Sequence, residues 1–259
     1  MLREALDWMT TPADRLTRKS GQLSEFIAIS SRRRRNRANW AFHEARTRET
    51  ILSSAERADP DGTALVLGAG HLHDIPLLEL SAKFGHVALV DLAFSWPTRR
   101  LATALKNVSC VRHDVTEAIQ ILATGGTRIP RPRALVDDDR ITFVTSVNLL
   151  SQLPVQPGRL LEQQGLNADI VETVHRGLVE NHLAWLARFR CPQLLICDRF
   201  YEVLDANSQV IEVIDPLHGV ILPEPMARWT WDIAPFGEIH RNYAVLNRVV
   251  AIDDMARSR

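Results

Sequence analysis

TALVLGAGHLHDIPLLELSAKFGHVALVD, residues 63–91, decides the fold. The apolar run Thr63–Gly68 reads as a strand, Gly68-Ala69-Gly70 as a tight turn, Ile75–Phe84 as a helix and His86–Asp91 as a second strand. Glycines in that turn let the backbone approach a ligand closely, and the helix start behind them offers free N–H groups. Asp91 ends the second strand at the distance where such units set an acid against a ribose diol. The unit therefore predicts a pocket for a nucleoside-containing ligand.

Downstream, VSCVRH (108–113), ITFVTSV (141–147) and PQLLIC (192–197) read as further strands. Helices are expected at Pro97–Leu105, Val115–Ala123 and Ala168–Arg190. Alternating strands and helices predict a mostly parallel sheet covered on both faces. RFYEVLD and QVIEVID then alternate apolar and polar residues around Ala206-Asn207-Ser208, which predicts a β-hairpin insertion near 199–215. WTWDIAP (229–235) and YAVLNRVVAI (243–252) read as an antiparallel pair closing the sheet.

Residues 1–60 lack this alternation and read as a helical cap on an α/β domain spanning 61–259. Turns are expected at Thr10-Thr11-Pro12 and Ser20-Gly21. From Ser30, the spacing of Trp40, His43, Thr47, Ile51 and Ala55 predicts one long amphipathic helix, ended by Asp59-Pro60-Asp61-Gly62. GGTRIPRPR (125–133) and DDDR (137–140) read as a loop insertion or lid.

With 259 residues, 46% of them hydrophobic, the chain can bury one large core. A formal net charge of zero gives no whole-protein attraction to nucleic acid or to an acidic membrane. Cys110, Cys191 and Cys197 lie in apolar runs as buried thiols would, which suits a reducing compartment. Charged residues break up the first thirty positions, and no apolar run is long enough to span a bilayer. The expectation is a cytoplasmic protein.

Gly68-Ala69-Gly70, Asp91, Asp114 in RHDVTE (112–117) and VTSVNLLSQLP (144–154) resemble motifs of the class I S-adenosylmethionine-dependent methyltransferases. The resemblance covers about residues 63–252 and extends to the closing antiparallel pair. It implies a Rossmann-like class I methyltransferase fold, with S-adenosylmethionine as cofactor. By that resemblance Gly68, Ala69, Gly70 and His71 form the cofactor loop, Asp91 holds the ribose hydroxyls with Leu92 beside it, and Asp114 meets the adenine amino group with Val115 beside it. Asn148 falls at the strand end that faces the transferred methyl. Val66 stands where the family often carries an acid, and Leu72 where its third glycine falls.

Methyl transfer from a sulfonium needs chiefly alignment, with a base only where a proton must leave. Asn148 is the one candidate for a catalytic role, and Trp40, His43 and Ser151 are candidates for the substrate side, with Gln152 next to them. The substrate would enter between Trp40 and His43, the Asn148 loop and the Arg199–Asp215 hairpin. His71-Leu72-His73-Asp74 offers donor types that suit zinc or iron, but its spacing favours a cofactor loop, with Asp74 as N-cap of the helix at Ile75-Pro76 and no metal. His43 and His182 lie on helical stripes and read as packed histidines. Arg32–Arg35, with Arg37, Arg46 and Arg48, could meet phosphates but read better as solvated helix charge, so a small molecule or a protein is favoured over nucleic acid as methyl acceptor. The rival readings are a nicotinamide-dependent oxidoreductase on the same turn and a methyltransferase-like binding protein without catalysis.

Overall fold

The computed structural model describes residues 2–19, 21–253 and 255. Its strands are β1 (Thr63–Leu67), β2 (His86–Asp91), β3 (Val108–Arg112), β4 (Ile141–Val147), β5 (Gln193–Leu204), β6 (Val210–Ile214), β7 (Ala227–Ala234) and β8 (Ala244–Ile252). They form one sheet in the order β3-β2-β1-β4-β5-β8-β7, with β6 added along the far half of β5. β1 to β5 run parallel, whereas β8 is antiparallel to β5 and β7 to β8. This is the Rossmann-like sheet with a C-terminal antiparallel pair that the sequence predicts.

The helices are α1 (Leu2–Thr10), α2 (Arg15–Lys19), α3 (Gln22–Arg35), α4 (Arg37–Ala55), α5 (Leu77–Lys83), α6 (Trp96–Ala104), α7 (Ile119–Ala123), α8 (Val155–Gln163) and α9 (Ala168–Leu186). β1 reads as an unbroken apolar run because Ala64, Leu65, Val66 and Leu67 are all buried, as in a strand covered on both sides. On one face Val66, Leu89, Phe143, Leu194 and Ile196 pack with Trp40, Ile51 and Ala55 of α4. On the other, Leu65, Leu67, Val144, Leu195 and Cys197 pack with Val179, Trp185 and Leu186 of α9. Val66, in the place of the missing acid, is thus a core residue.

Local chemistry moved several boundaries. The long helix expected from Ser30 is two helices, because Asn36 leaves helical geometry (φ −111°, ψ 30°) and its side-chain amide donates to the Arg32 carbonyl at 3.0 Å. An asparagine that hydrogen-bonds its own backbone competes with the helix ladder there. α7 starts four residues later than expected, since the Asp114 carboxylate occupies the intervening N–H groups. α8 had no counterpart in the sequence reading, where Pro154, Pro157 and Gly158 mask its short apolar stripe. The turn at Thr10-Thr11-Pro12 follows α1, and Gly21 turns with φ +82°; Ser20 lies outside the described residues. β5 continues as a single strand into the predicted hairpin and turns at Asp205–Gln209. No described helix is long and apolar enough to cross a membrane.

Candidate functional site

A cavity of about 440 Å³ opens at the C-terminal ends of β1, β2, β4 and β5, under α2, α3 and α4. Ligands of α/β sheets bind at that edge, in pockets of about 300–1,000 Å³. Gly68, Gly70, His71, Asp91, Leu92, Asp114, Val115, Asn148, Trp40 and His43 all line it. Of the residues singled out from sequence, Ala69 and Ser151 do not: Ala69 is core, and Ser151 lies behind the wall, donating to Asp198.

The glycine turn is fixed by close approach. Gly68 has φ +82°, and a Cβ there would come within 2.5 Å of the Val147 carbonyl. A Cβ on Gly70 would meet the Ala93 carbonyl at 2.8 Å and Asp91 Oδ2 at 2.9 Å, besides the ring of Phe26. Asp91 braces the turn. Its Oδ2 accepts from Gly70 N–H (2.9 Å) and its Oδ1 from Leu92 N–H (2.7 Å). Burial pushes this carboxyl up to about 6, against the backbone donors that favour its charge.

Asp114 is equally engaged. Its Oδ1 accepts from the backbone and hydroxyl of Thr116 (2.9 and 2.6 Å), and its Oδ2 from Ala118 and Ile119 N–H (3.1 and 3.0 Å). Asp91 Oδ2, with one donor, keeps a lone pair that a ligand hydroxyl can use without breaking the turn, whereas all four lone-pair sites of Asp114 are taken by its own loop.

The His71–Asp74 loop differs from its expected role. α5 begins only at Leu77 and has no side-chain cap, so Asp74 is not its N-cap. Instead Asp74 Oδ2 accepts from Asn148 Nδ2 at 2.6 Å and lies 3.7 Å from His43 Nε2. His71 stacks on Phe26 (centroids 3.8 Å apart), bonds the Phe26 carbonyl through Nε2 (2.7 Å) and Ser30 through Nδ1 (3.0 Å). Both its nitrogens are thus committed to α3. Burial, the largest influence, pulls His71 down to about 4 and His73 to about 3, so both rings are neutral at pH 7. Among the described residues, the ligating side chains that converge, Glu172, His175 and His218, lie outside the cavity.

His43 is buried, stacked on Trp231 at 3.9 Å and 8°, and its Nδ1 accepts from Trp229 Nε1 at 3.0 Å. That bond leaves the ring proton on Nε2, which faces Asp74. Nε2 and Asn148 Nδ2, 3.0 Å apart, are two donors converging on one carboxylate. Burial is the largest influence on Asp74 and opposes its charge, but His43, His73 and the residue's own backbone N–H together hold the carboxyl below its ordinary range. Asn148 itself has φ +49°, a left-handed conformation that asparagine tolerates better than most residues.

A second polar group, not read from sequence, closes the far wall. Register between β5 and β8 slips between Asp198 and Phe200, so Arg199 is the extra residue of a bulge. Pairing Asp198 with Val249 and Tyr201 with Asn247 then puts Asp198 and Tyr201 on one face, where a regular strand would oppose them. Asn247 pairs in turn with Trp231 on β7, giving a row Tyr201, Asn247, Trp231 under His43. Asp198 Oδ2 accepts from Ser151 at 2.9 Å, and burial raises its carboxyl against the help of Ser151, Asn247 and Tyr201. A strand reading of PQLLICD showed where the apolar run stopped but not the bulge that re-aims the acid.

The arginine run is largely spent within the fold. Arg33 pairs with Glu44, and Arg35 with Glu238 in the β7–β8 loop. Phe26 and Ile29 of α3 also line the cavity; nothing in their helical spacing distinguished core from pocket wall.

No family model and no curated protein matches the chain. Among solved structures it is similar to a Burkholderia thailandensis 1,6-didemethyltoxoflavin-N1-methyltransferase, solved with its namesake ligand and S-adenosylhomocysteine: 12% identity, 88% of this chain and 89% of that one, TM-score 0.39. A DhpI–SAM–HEP complex matches at 11% identity over 92% and 99%, TM-score 0.39. The glycopeptide N-methyltransferase MtfA, complexed with S-adenosylhomocysteine, matches at 13% identity over 80% and 90%, TM-score 0.29. At these scores the likeness is distant, and the fold rests on this chain's own strand order and register.

Proposed function

We propose that the protein is a cytoplasmic S-adenosylmethionine-dependent methyltransferase whose acceptor is a small molecule or a protein. The observation that carries this is the Gly68–Gly70 turn braced by Asp91, opening on the same cavity as Asn148 and Asp198 across a sheet of 3-2-1-4-5-8-7 order. One end of the cavity is built for a nucleoside and the other for an acceptor. The cofactor, when bound, supplies a methyl on an electron-poor sulfonium sulfur. Asp91 meets the ribose hydroxyls through the open side of Oδ2, and Asp114, whose oxygens are held by its own loop, shapes the adenine end. Asn148, pinned by Asp74, orients the acceptor at the end of β4. α3 excludes water by lying over Gly70. Arginines already paired with Glu44 and Glu238 favour this reading over a nucleic-acid substrate; of the three cysteines expected to be buried only Cys197 is, Cys110 being exposed and Cys191 half-buried, but all three are free, as a reducing compartment would keep them.

Isothermal titration with S-adenosylhomocysteine tests the reading, with NADH as the competing probe. Saturable binding of the first and none of the second is expected. Asp91→Ala should weaken it by about tenfold or more, the scale of a lost charge-assisted hydrogen bond. No heat at millimolar S-adenosylhomocysteine, or preference for NADH, would overturn it.

A further inference from the structure

Asp198 Oδ1, Asn148 Oδ1 and Asn247 Oδ1 are three buried oxygens without a hydrogen-bond partner, on residues that line one cavity. Such groups are costly unless a donor arrives, so each calls for an explanation. The orientation of Asn148 is fixed: turned over, its oxygen would face the Asp74 carboxylate at 2.6 Å.

The other carboxylates of the cavity are accounted for. Glu25 and Glu44 pair with Arg159 and Arg33, and Asp91 and Asp114 are held by backbone N–H groups. Neither Asp198 nor Asp74 has a lysine or arginine ion pair among the described residues, although Arg33 acts on Asp74 from a distance. The wall thus presents three unpartnered acceptors against one unpartnered donor, Trp231 Nε1, with the charge of Asp198 unpaired and the aromatic row of Tyr201 and Trp231 beside it. A carboxylate or phosphate would be repelled there, and a hydroxyl could satisfy one acceptor alone. An ammonium brings up to three donors and a positive charge that aromatic faces also attract.

Resting on the methyltransferase reading, we infer that the methyl acceptor is an amine nitrogen, admitted as its ammonium and seated on Asp198 with the amide oxygens of Asn148 and Asn247. An ammonium has no lone pair, so a proton must leave before transfer. Asp198 takes it on Oδ1. The freed nitrogen pair then forms the N–C bond to the methyl as the C–S bond breaks with its electrons left on sulfur, giving a thioether and a methylated ammonium. The proton on Asp198 passes to water on product release.

The test is binding to the full chain, free and saturated with S-adenosylhomocysteine, probed with methylammonium, benzylamine and benzyl alcohol by thermal shift and calorimetry. The two amines should bind and benzyl alcohol should not. Asp198→Asn and, independently, Asn247→Leu should lower amine affinity about tenfold or more while leaving S-adenosylhomocysteine binding unchanged. Amine and alcohol binding alike, no amine response, or full affinity in both variants would overturn the inference. S-adenosylhomocysteine binding is read separately, so amines failing while it binds condemns only the acceptor assignment, whereas its own failure condemns the cofactor reading. Incorporation of labelled methyl into the amine and not the alcohol would add to the binding result.

Discussion

Asp91 braces the glycine turn and, on the proposed function, also holds the ribose, so its protonation should be visible in both stability and binding. Its folded value, about 6, lies above the roughly 3.9 of an unfolded aspartate. The folded state therefore holds this proton more tightly, and the cost of burying the charge, present in full above pH 6, is relieved as pH falls towards 4. Ribose binding needs the charged acceptor, so affinity for S-adenosylhomocysteine should fall by up to about tenfold per pH unit below 6. Calorimetry from pH 7.5 to 5 would show it, and a flat profile would exclude Asp91 as the ribose acceptor. Asn148 gives a backbone prediction: at φ +49°, Asn148→Ala should be less stable than Asn148→Gly by about 1 kcal/mol in urea unfolding, although helix and strand propensities order alanine above glycine. That Asp91 and Asn148 would line one cavity was legible because each stands at or just past a strand's C-terminal end. Asp74 was misread as a cap since its partner, Asn148, is 74 residues away, beyond any local pattern.

Among the elements, α3 does the most for the site while showing least of it in sequence. Its Phe26 ring sits on His71 and over Gly70, so the helix and the glycine turn are one packing unit. Gly70→Ala should cost about 1–3 kcal/mol, the usual penalty of overpacking, and abolish S-adenosylhomocysteine binding. Phe26 can be trimmed but the Ala93 carbonyl belongs to the backbone of the short β2–α6 connection, so adding Phe26→Ala should recover only part of the stability, measured by chemical denaturation. Full recovery would mean that the backbone contacts do not matter. Periodicity found α4 through Trp40, Ile51 and Ala55, which pack on the sheet. It could not place the break at Asn36, because that depends on one side chain bonding one carbonyl. The bulge at Arg199 escaped for the same reason, being a matter of register between β5 and β8 rather than of composition.

At the scale of the whole molecule, strand order was legible because burial on both faces writes itself as apolar runs, and the runs come in an order few topologies satisfy. How α3 and α4 meet the sheet was not. That junction holds two of the three histidines whose buried rings are driven far from their ordinary range: His71 to about 4, His73 to about 3, and His182 under α9 to about 3. All three shifts are downward, so between pH 6.5 and about 4 the unfolded chain binds protons that the folded one refuses. Stability is lost over that window at about 1.4 kcal/mol per pH unit per histidine. Asp91 works the other way over part of it, as does Asp198, so the net fall should be one to two protons' worth, about 1.4–2.8 kcal/mol per pH unit. Because His71 and His73 both meet Ser30 of α3, the loss should begin at the cap. Amide exchange at pH 7 and pH 5 should then show α3 losing protection while β1 and β4 keep theirs, and the urea midpoint should drop. A midpoint that rises on acidification, or α3 and β1 losing protection together, would mean that the histidines do not hold the cap to the sheet.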